Sequence, residues 1–351
     1  MSMPEARAEF FFKKPSIKAI ATTVGGKKID FKQEAGASYG LSEKEIERLS
    51  KALGLGQRQV VLNSDTTTSD LCFNSAKKIM EHFQADPKSI SALIFVSQSP
   101  DYSAPSTAIS LQNRLGLPTS SMAFDMRLGC SGFIYGLNVA YSLIESGLQS
   151  VLLCVGDVAS RFVNKSDYTI APLMGDAGSA ILIEAGHSDS YFQLYSDGSG
   201  ERALMIPNSG FRREKCDADL DSFMTMDGAA VFNFTLQKVS PMIQDIIKLS
   251  GCAPSDIDFF VLHQPNKYIL NNIQKQLKIS DEKFPKATQS VYGNQNSASI
   301  PGTIGGFLSQ SYETKKLTSL FCGFGIGLSW GACVLETENI YAPKPFFEEK
   351  T

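Results

Sequence analysis

Two stretches of the 351-residue chain decide its fold: "SISALIFVSQSP" (Ser89–Pro100) and "PSDIDFFVLHQP" (Pro254–Pro265). Each follows a helical pattern, holds a short unbroken apolar run and ends in a polar turn closed by proline. Such runs read as strands buried on both faces, as in parallel sheets. What comes after them is also echoed. "SVLLCVGD" and "GDAGSAILIE" (Ser150–Asp157, Gly175–Glu184) finish the first half, and "SLFCGFGIGLSWGACVLE" (Ser319–Glu336) finishes the second. In each case a buried strand, a turn and another strand recur, which points to a duplicated βαβ-type module.

Working outward, strands are expected at Ile17–Val24, Ala92–Ser97, Ser121–Asp125, Ser150–Gly156, Ser179–Glu184 and Tyr191–Ser196. Helices are expected at Ser42–Leu53, Ser69–Phe83, Ser106–Leu115, Phe133–Ser146, Ala230–Leu249 and Lys267–Leu277. Strands separated by helices make an α/β fold with largely parallel sheets. The expected division is a first half over 15–196, connecting loops over 197–229 and a second half over 230–338. The first 14 residues, with scattered charges and the small apolar patch Phe10–Phe12, read as an arm outside both halves and not as a secretory signal.

Composition narrows the function. Thirty-three Lys and Arg against 36 Asp and Glu leave a net charge of −3, with no basic stripe for nucleic acid. Apolar runs such as Val151–Val155 fall far short of the ~20 residues that span a bilayer. Seven cysteines, an odd number without a CxxC pair, argue against a disulfide scaffold or zinc ribbon and for a reducing, cytoplasmic setting.

Four motifs carry candidate chemistry. In Asp125-Met126-Arg127-Leu128-Gly129-Cys130-Ser131-Gly132-Phe133, a strand ends, a glycine-flanked turn follows and a helix begins. A lone cysteine at such a corner is usually inert core. At a helix start, though, it faces unpaired N–H groups and the positive end of the helix dipole, which favour thiolate. Cys130 is therefore expected to be a nucleophile with a depressed pKa. In Val261-Leu262-His263-Gln264-Pro265-Asn266 a strand delivers one of only three histidines to its carboxyl end, where α/β enzymes keep catalytic groups. His82 and His187 read as surface residues. Tyr292-Gly293-Asn294-Gln295-Asn296-Ser297 is either plain turn chemistry or a source of neutral N–H donors for an oxyanion. Gly323-Phe324-Gly325-Ile326-Gly327 lets backbone approach a ligand, but no GK[ST] follows and it is no P-loop.

Together and in this order, "GCSGFIYGL", "HQPN", "YGNQNSASIP" and "GFGIGLSWGA" resemble the β-ketoacyl-ACP synthase III family of the thiolase superfamily, over about Ile17 to Glu336. The resemblance implies a thiolase-like five-layer αβαβα fold and a homodimer. It implies a Cys-His-Asn triad at Cys130, His263 and Asn294; Asn296 falls where the family has a small residue. It also implies an oxyanion hole from the backbone N–H groups of Cys130 and Ile326, with Phe324 and Asn266 lining the pocket. The implied reaction moves an acyl group to Cys130, then condenses it with a malonyl thioester that loses CO2. No cofactor or metal is called for, since CO2 loss itself generates the carbanion. The implied partners are acyl carrier protein, acyl-CoA or both.

Departures from the family bear on the substrate. Arg48 and Ala52 stand where acetyl-CoA-selective members have the Trp and Arg that grip the adenine end, and Tyr168 replaces a second CoA-contacting Arg. Ala104 stands where a larger residue closes the acyl pocket from the neighbouring subunit, which would admit a longer chain at about 0.8 kcal/mol per buried CH2. Tyr268, beside Lys267, replaces an Arg of the carrier-docking face. Two other readings compete: an acyltransferase forming an ester or amide on a small metabolite, and a non-catalytic partner subunit. Retention of His263 and Asn294 weighs against the first and Cys130 against the second. A thiolase proper would need a Gly-His-Pro motif, which is missing.

Overall fold

The computed structural model describes residues 6–212 and 222–349. The chain opens with β1 (Ala8–Phe12) and β2 (Pro15–Val24), then a hairpin of β3 (Lys27–Asp30) and β4 (Gln57–Val60) enclosing α1 (Phe31–Ser38) and α2 (Glu43–Leu53). Helix α3 (Thr68–Phe83) leads into β5 (Ala92–Val96), and α4 (Thr107–Arg114) into β6 (Met122–Met126). Helix α5 (Gly132–Glu145) leads into β7 (Ser150–Val158) and β8 (Asp176–Ala185). Beyond β9 (Ser190–Ser196) lie the short pair β10 (Leu204–Met205) and β11 (Thr225–Met226). Helix α6 (Gly228–Phe234) runs through a wide turn of helix at Thr235–Val239 into α7 (Ser240–Ser250). The remainder is β12 (Phe259–Leu262), α8 (Lys267–Leu277), α9 (Thr288–Tyr292), α10 (Ser299–Thr303), α11 (Ser309–Thr314), β13 (Lys316–Gly325), β14 (Ser329–Glu338) and β15 (Phe346–Phe347).

Two sheets organise these elements, in the orders β15-β2-β8-β7-β5-β6 and β1-β9-β14-β13-β12. The block β2-β8-β7-β5 is repeated as β9-β14-β13-β12, with the same hands: β5 lies parallel to β7 as β12 does to β13, and the other pairs are antiparallel. The two echoed stretches are thus the same strand of two modules. The repeat also corrects the expected boundary after Ser196. Strand β9 pairs with β14 in the second sheet, so the modules part between β8 and β9.

The layers follow from which faces are apolar. Helix α3 packs on the outer face of the first sheet, with Ala76 and Ile79 against Leu93, Leu152 and Leu182. Helix α5 lies between the sheets, its Ile134 and Leu137 packed with Ile94 and Leu153 of one and Phe321 and Leu335 of the other. Helices α7 and α8 cover the far face, where Ile243, Ile246, Leu270 and Ile273 meet Leu320 and Val334. The order helix, sheet, helix, sheet, helix is the five-layer αβαβα arrangement. It explains why all of β5 and β7 is buried, since both of their faces are covered.

The N-terminal arm departs from the sequence-based expectation, and the C-terminal tail lies beyond the halves expected from the sequence. The N-terminal arm is not separate: β1 is an edge strand of the second sheet, paired antiparallel with β9 from Ala8↔Leu194 to Phe12↔Ser190. The C-terminal tail adds β15 beside β2 and carries Glu348 inward. The Glu348 carboxylate, 8% exposed, accepts the backbone N–H groups of Leu62 (2.7 Å) and Gly26 (3.3 Å) and the Thr66 hydroxyl. Of the connecting region expected over 197–229, residues 213–221 lie outside the described residues, as does Cys216.

Glu348→Ala would strand two backbone donors that have no other acceptor among the described residues. It is expected to lower stability by about 1–3 kcal/mol, read as a shift in the urea midpoint at unchanged slope. An unchanged midpoint would show that the tail is not pinned through this carboxylate.

Candidate active site

The two strand ends produced by the repeat meet at one place. Cys130 follows β6, one residue ahead of the Ser131 cap of α5, and His263 follows β12. Both are buried, at 7% and 2% exposure, and both face a small cavity of about 60 Å³. Asn294, Asn296, Phe324, Ile326 and Asn266 face the same cavity. Six of the seven site residues expected from the sequence are therefore brought together. The seventh, Ala104, is exposed on the loop ahead of α4 and lines none of the cavity.

Each side chain is held by its surroundings. Asn294 sits on a bridge to Met174, its N–H bonded to the Leu173 carbonyl at 2.7 Å and its carbonyl to the Gly175 N–H at 3.0 Å. Its side-chain Oδ1 accepts the Asn296 N–H (3.0 Å), which leaves the Nδ2 hydrogens for the cavity. Phe324 stands edge-on to the His263 ring, with centroids 5.5 Å apart. Asn266 caps α8 by accepting the Ile269 N–H, so its polar end is engaged although it lines the wall. A side chain at Gly325 would bring its Cβ within 2.9 Å of Cys130 Sγ, so only glycine lets the β13–β14 turn close over the sulfur.

Around His263 one hydroxyl matters. Ser299 Oγ lies 2.7 Å from His263 Nδ1 and 2.5 Å from the Asn296 carbonyl oxygen. Its single hydrogen can serve one of them at a time. Donated to the carbonyl, it leaves Nδ1–H on the imidazole and a lone pair at Nε2; donated to Nδ1, it leaves Nε2–H. Burial pushes the His263 pKa down to about 3, only partly opposed by the Asn296 backbone, so the ring is neutral in either case.

The thiol differs from its expectation. Its pKa is pushed up to about 12, above the free value and not below it. Burial is the main cause, and the negative charge of Asp157 adds to it. The backbone N–H groups of Ile326 and Cys130, both aimed at Sγ, pull the other way but do not win. The helix start does supply the donors, but desolvation is the larger effect here. The resting Sγ–H donates to Asn296 Oδ1 at 3.6 Å, not to His263.

Asn296 is therefore closer to the chemistry than its place in a turn implies, and Asp157 joins it as a residue the sequence does not single out. Asn296 has φ +48°, and its Nδ2 donates to Asp157 Oδ2 at 3.2 Å. Asp157, fully buried, accepts at Oδ1 from Ser97 Oγ, Gln98 N–H, Ser99 N–H and Ser99 Oγ, at 2.7–3.1 Å. Burial still lifts its pKa to about 6. The Gly156-Asp157 pair at the end of β7 is the signal the sequence offers. The residues that replace the family's CoA grip, Arg48, Ala52 and Tyr168, are exposed, and Tyr268 is half exposed against Phe232.

Known proteins resemble this chain along most of its length. The model of the 3-oxoacyl-[acyl-carrier-protein] synthase III family matches residues 124–198, and the model of its C-terminal part matches 247–337. A putative 3-oxoacyl-[acyl-carrier-protein] synthase 3 of Campylobacter jejuni is 35% identical over 94% of this chain and 96% of its own length. A β-ketoacyl-[acyl-carrier-protein] synthase III of Streptococcus mutans is 35% identical over 83% of this chain and 90% of its own. The crystal structure of a 3-oxoacyl-(acyl-carrier protein) synthase from Burkholderia xenovorans superposes with a TM-score of 0.93 at 30% identity, covering 98% of this chain and 99% of that one.

The raised thiol pKa has a direct consequence for reactivity. Thiolate is the alkylated form, so its fraction should climb about tenfold per pH unit and not level off where a free thiol does, near pH 8.5. Iodoacetamide modification of Cys130, followed by peptide mass, is expected to keep accelerating through pH 9. A plateau below pH 8 would contradict the dominance of burial.

Proposed function

The chain belongs to the 3-oxoacyl-[acyl-carrier-protein] synthase III family, and we propose that Cys130, His263 and Asn294 carry out its condensing reaction. The observation that supports this assignment most is the shared cavity: one thiol, one neutral imidazole and one free amide N–H₂ face the same 60 Å³. In acylation, Cys130 Sγ bonds to the thioester carbonyl carbon and the carbon–sulfur bond to the carrier breaks. The thiol proton leaves through His263 Nε2, which has its lone pair when Ser299 donates to the Asn296 carbonyl. It ends on the departing carrier thiolate. The developing oxyanion takes the Cys130 and Ile326 N–H groups. A thiol that is neutral at rest suits this order, because charge appears on sulfur only while it is being passed on.

In the second stage the malonyl thioester loses CO2, and the electron pair stays as an enolate. Asn294 Nδ2–H donates to its oxygen. So does His263 Nε2–H, once the Ser299 hydroxyl has turned toward Nδ1. The enolate carbon bonds to the acyl carbonyl carbon, Cys130 departs and is reprotonated, and a 3-oxoacyl thioester is released.

The starter is longer or less ordinary than acetyl. Ala and Tyr at positions 52 and 168 cannot pair with CoA phosphates as Arg would, which favours delivery by a carrier protein. The enzyme acts as a homodimer. Among the described residues strand β6 is paired on one side only, and Tyr102, Ile109 and Met122 in and beside it are 66%, 50% and 41% exposed. Such an edge favours continuation of the sheet into a second copy. Ala104, on the same face, would then help to shape the acyl cavity of the neighbouring subunit.

Cys130→Ala is expected to abolish 3-oxoacyl product while CO2 release from the malonyl thioester continues, since decarboxylation uses enolate donors and no thiol. His263→Ala and Asn294→Ala are each expected to slow CO2 release by about 10²–10³-fold. Product from Cys130→Ala, or native CO2 release from His263→Ala, would sink the assignment.

A further inference from the structure

Beside the small cavity lies a larger one of about 580 Å³, and Gln98 and Ile326 line both. Cys130 lines only the small cavity, so an acyl chain held on it would enter the larger one past Gln98, Leu204 and Ile326. Its lining is not that of a slot for plain alkyl groups, because Gln98, Ser99, Thr68, Asp101 and Arg127 face it. Most of the inner polar groups are already paired. Ser99 Oγ is bonded to Asp157 and Thr68, and Asp101 accepts from Ser69 at Oδ2, while its buried Oδ1 has no partner among the described residues. The Gln98 amide has no partner among the described residues, and neither does the Arg127 guanidinium farther out.

Gln98 is also well placed and rigidly held. Asp157 Oδ1 fixes its N–H (2.7 Å) together with both flanking serines, so the side chain projects from an immobile turn. Its Oε1 lies over Gly129, so close that a Cβ there would come within 2.3 Å of it. Gly129 immediately precedes Cys130, so the first carbons beyond a thioester on Cys130 pass this amide. An unpaired amide in a half-buried passage favours a substrate that supplies the missing hydrogen bond over one that buries the amide against CH2 groups.

We propose that Gln98 selects starter acyl groups that carry a hydroxyl within the first few carbons of the thioester, as a 3-hydroxyacyl chain does, over the unsubstituted alkyl chain of equal length. This inference rests on acylation of Cys130. In that step Sγ gains the acyl carbon, the carrier sulfur leaves, and the thiol proton goes to it; the hydroxyl is unchanged.

The test uses the full chain and pantetheine thioesters of butanoic, 3-hydroxybutanoic and glutaric acids, which removes the choice between CoA and carrier protein. The initial rate of mass gain at Cys130 is the readout. The 3-hydroxybutanoyl thioester is expected to label at least about tenfold faster than the butanoyl thioester. Gln98→Leu should bring the ratio to about one; Gln98→Met, closer in volume, serves if the first variant does not fold. Equal or faster butanoyl labelling in the native protein would overturn the inference, as would a ratio unchanged in a folded Gln98 variant. Glutaryl labelling that is fastest and lost in Arg127→Ala would also overturn it, by making the outer guanidinium the selector. Labelling with the wrong selectivity contradicts only this inference, whereas no labelling by any of the thioesters would contradict the acylation reading as well.

Discussion

The buried carboxylate of Asp157 is the point on which the active site depends. It sits at the end of β7, in the first module, with no exposed surface. Taking a carboxylate out of water costs several kcal/mol unless its lone pairs are used. Here four donors from Ser97, Gln98 and Ser99 meet one oxygen and the Asn296 amide meets the other. Those bonds freeze the turn after β5, and through Asn296 they reach across to the second module. The Asn296 amide then presents its oxygen to the Cys130 thiol and its backbone carbonyl to Ser299 and His263. One desolvated charge thus sets the resting hydrogen bond of the thiol, the alternatives open to the imidazole and the direction of the Gln98 side chain.

The duplication explains why the site lies where it does. Two copies of one four-strand block, packed on shared central helices, bring the carboxyl ends of equivalent regions together. Helix α5 leaves Cys130 from one side, and the segment over Asn294–Thr303 enters from the other, each covered by a sheet. The interior position supplies both the protection and the cost. The same burial that keeps water from an enolate raises the thiol pKa and neutralises the histidine. The chemistry suited to such a place passes a proton at the moment of attack and does not store a thiolate beforehand.

Much of this was legible in the sequence, for a physical reason. Strand β5, helix α5 and strand β12 are defined by periodicity and glycine placement within a dozen residues, and their ends carried Cys130 and His263 as expected. What could not be read locally is what depends on convergence. Asp157 and Asn296 are 139 residues apart and meet only because the modules pack. The positive φ of Asn296 and the unpaired amide of Gln98 have no signature along the chain. The acidity expected of Cys130 failed in the same way, since donors at a helix start are a local feature while desolvation comes from all sides. The assignment of β9 to the second sheet, and of the two chain ends to sheet edges, likewise needed partners remote in sequence.

The central claim is that one buried cysteine of seven receives the acyl group. Peptide mapping after brief exposure to an acyl thioester tests it most directly. The account requires a single acyl adduct on the peptide containing Cys130, discharged when a malonyl thioester is added. An adduct on Cys72, Cys154, Cys216, Cys252, Cys322 or Cys333 in place of Cys130, or a Cys130 adduct that a malonyl thioester does not discharge, would contradict it.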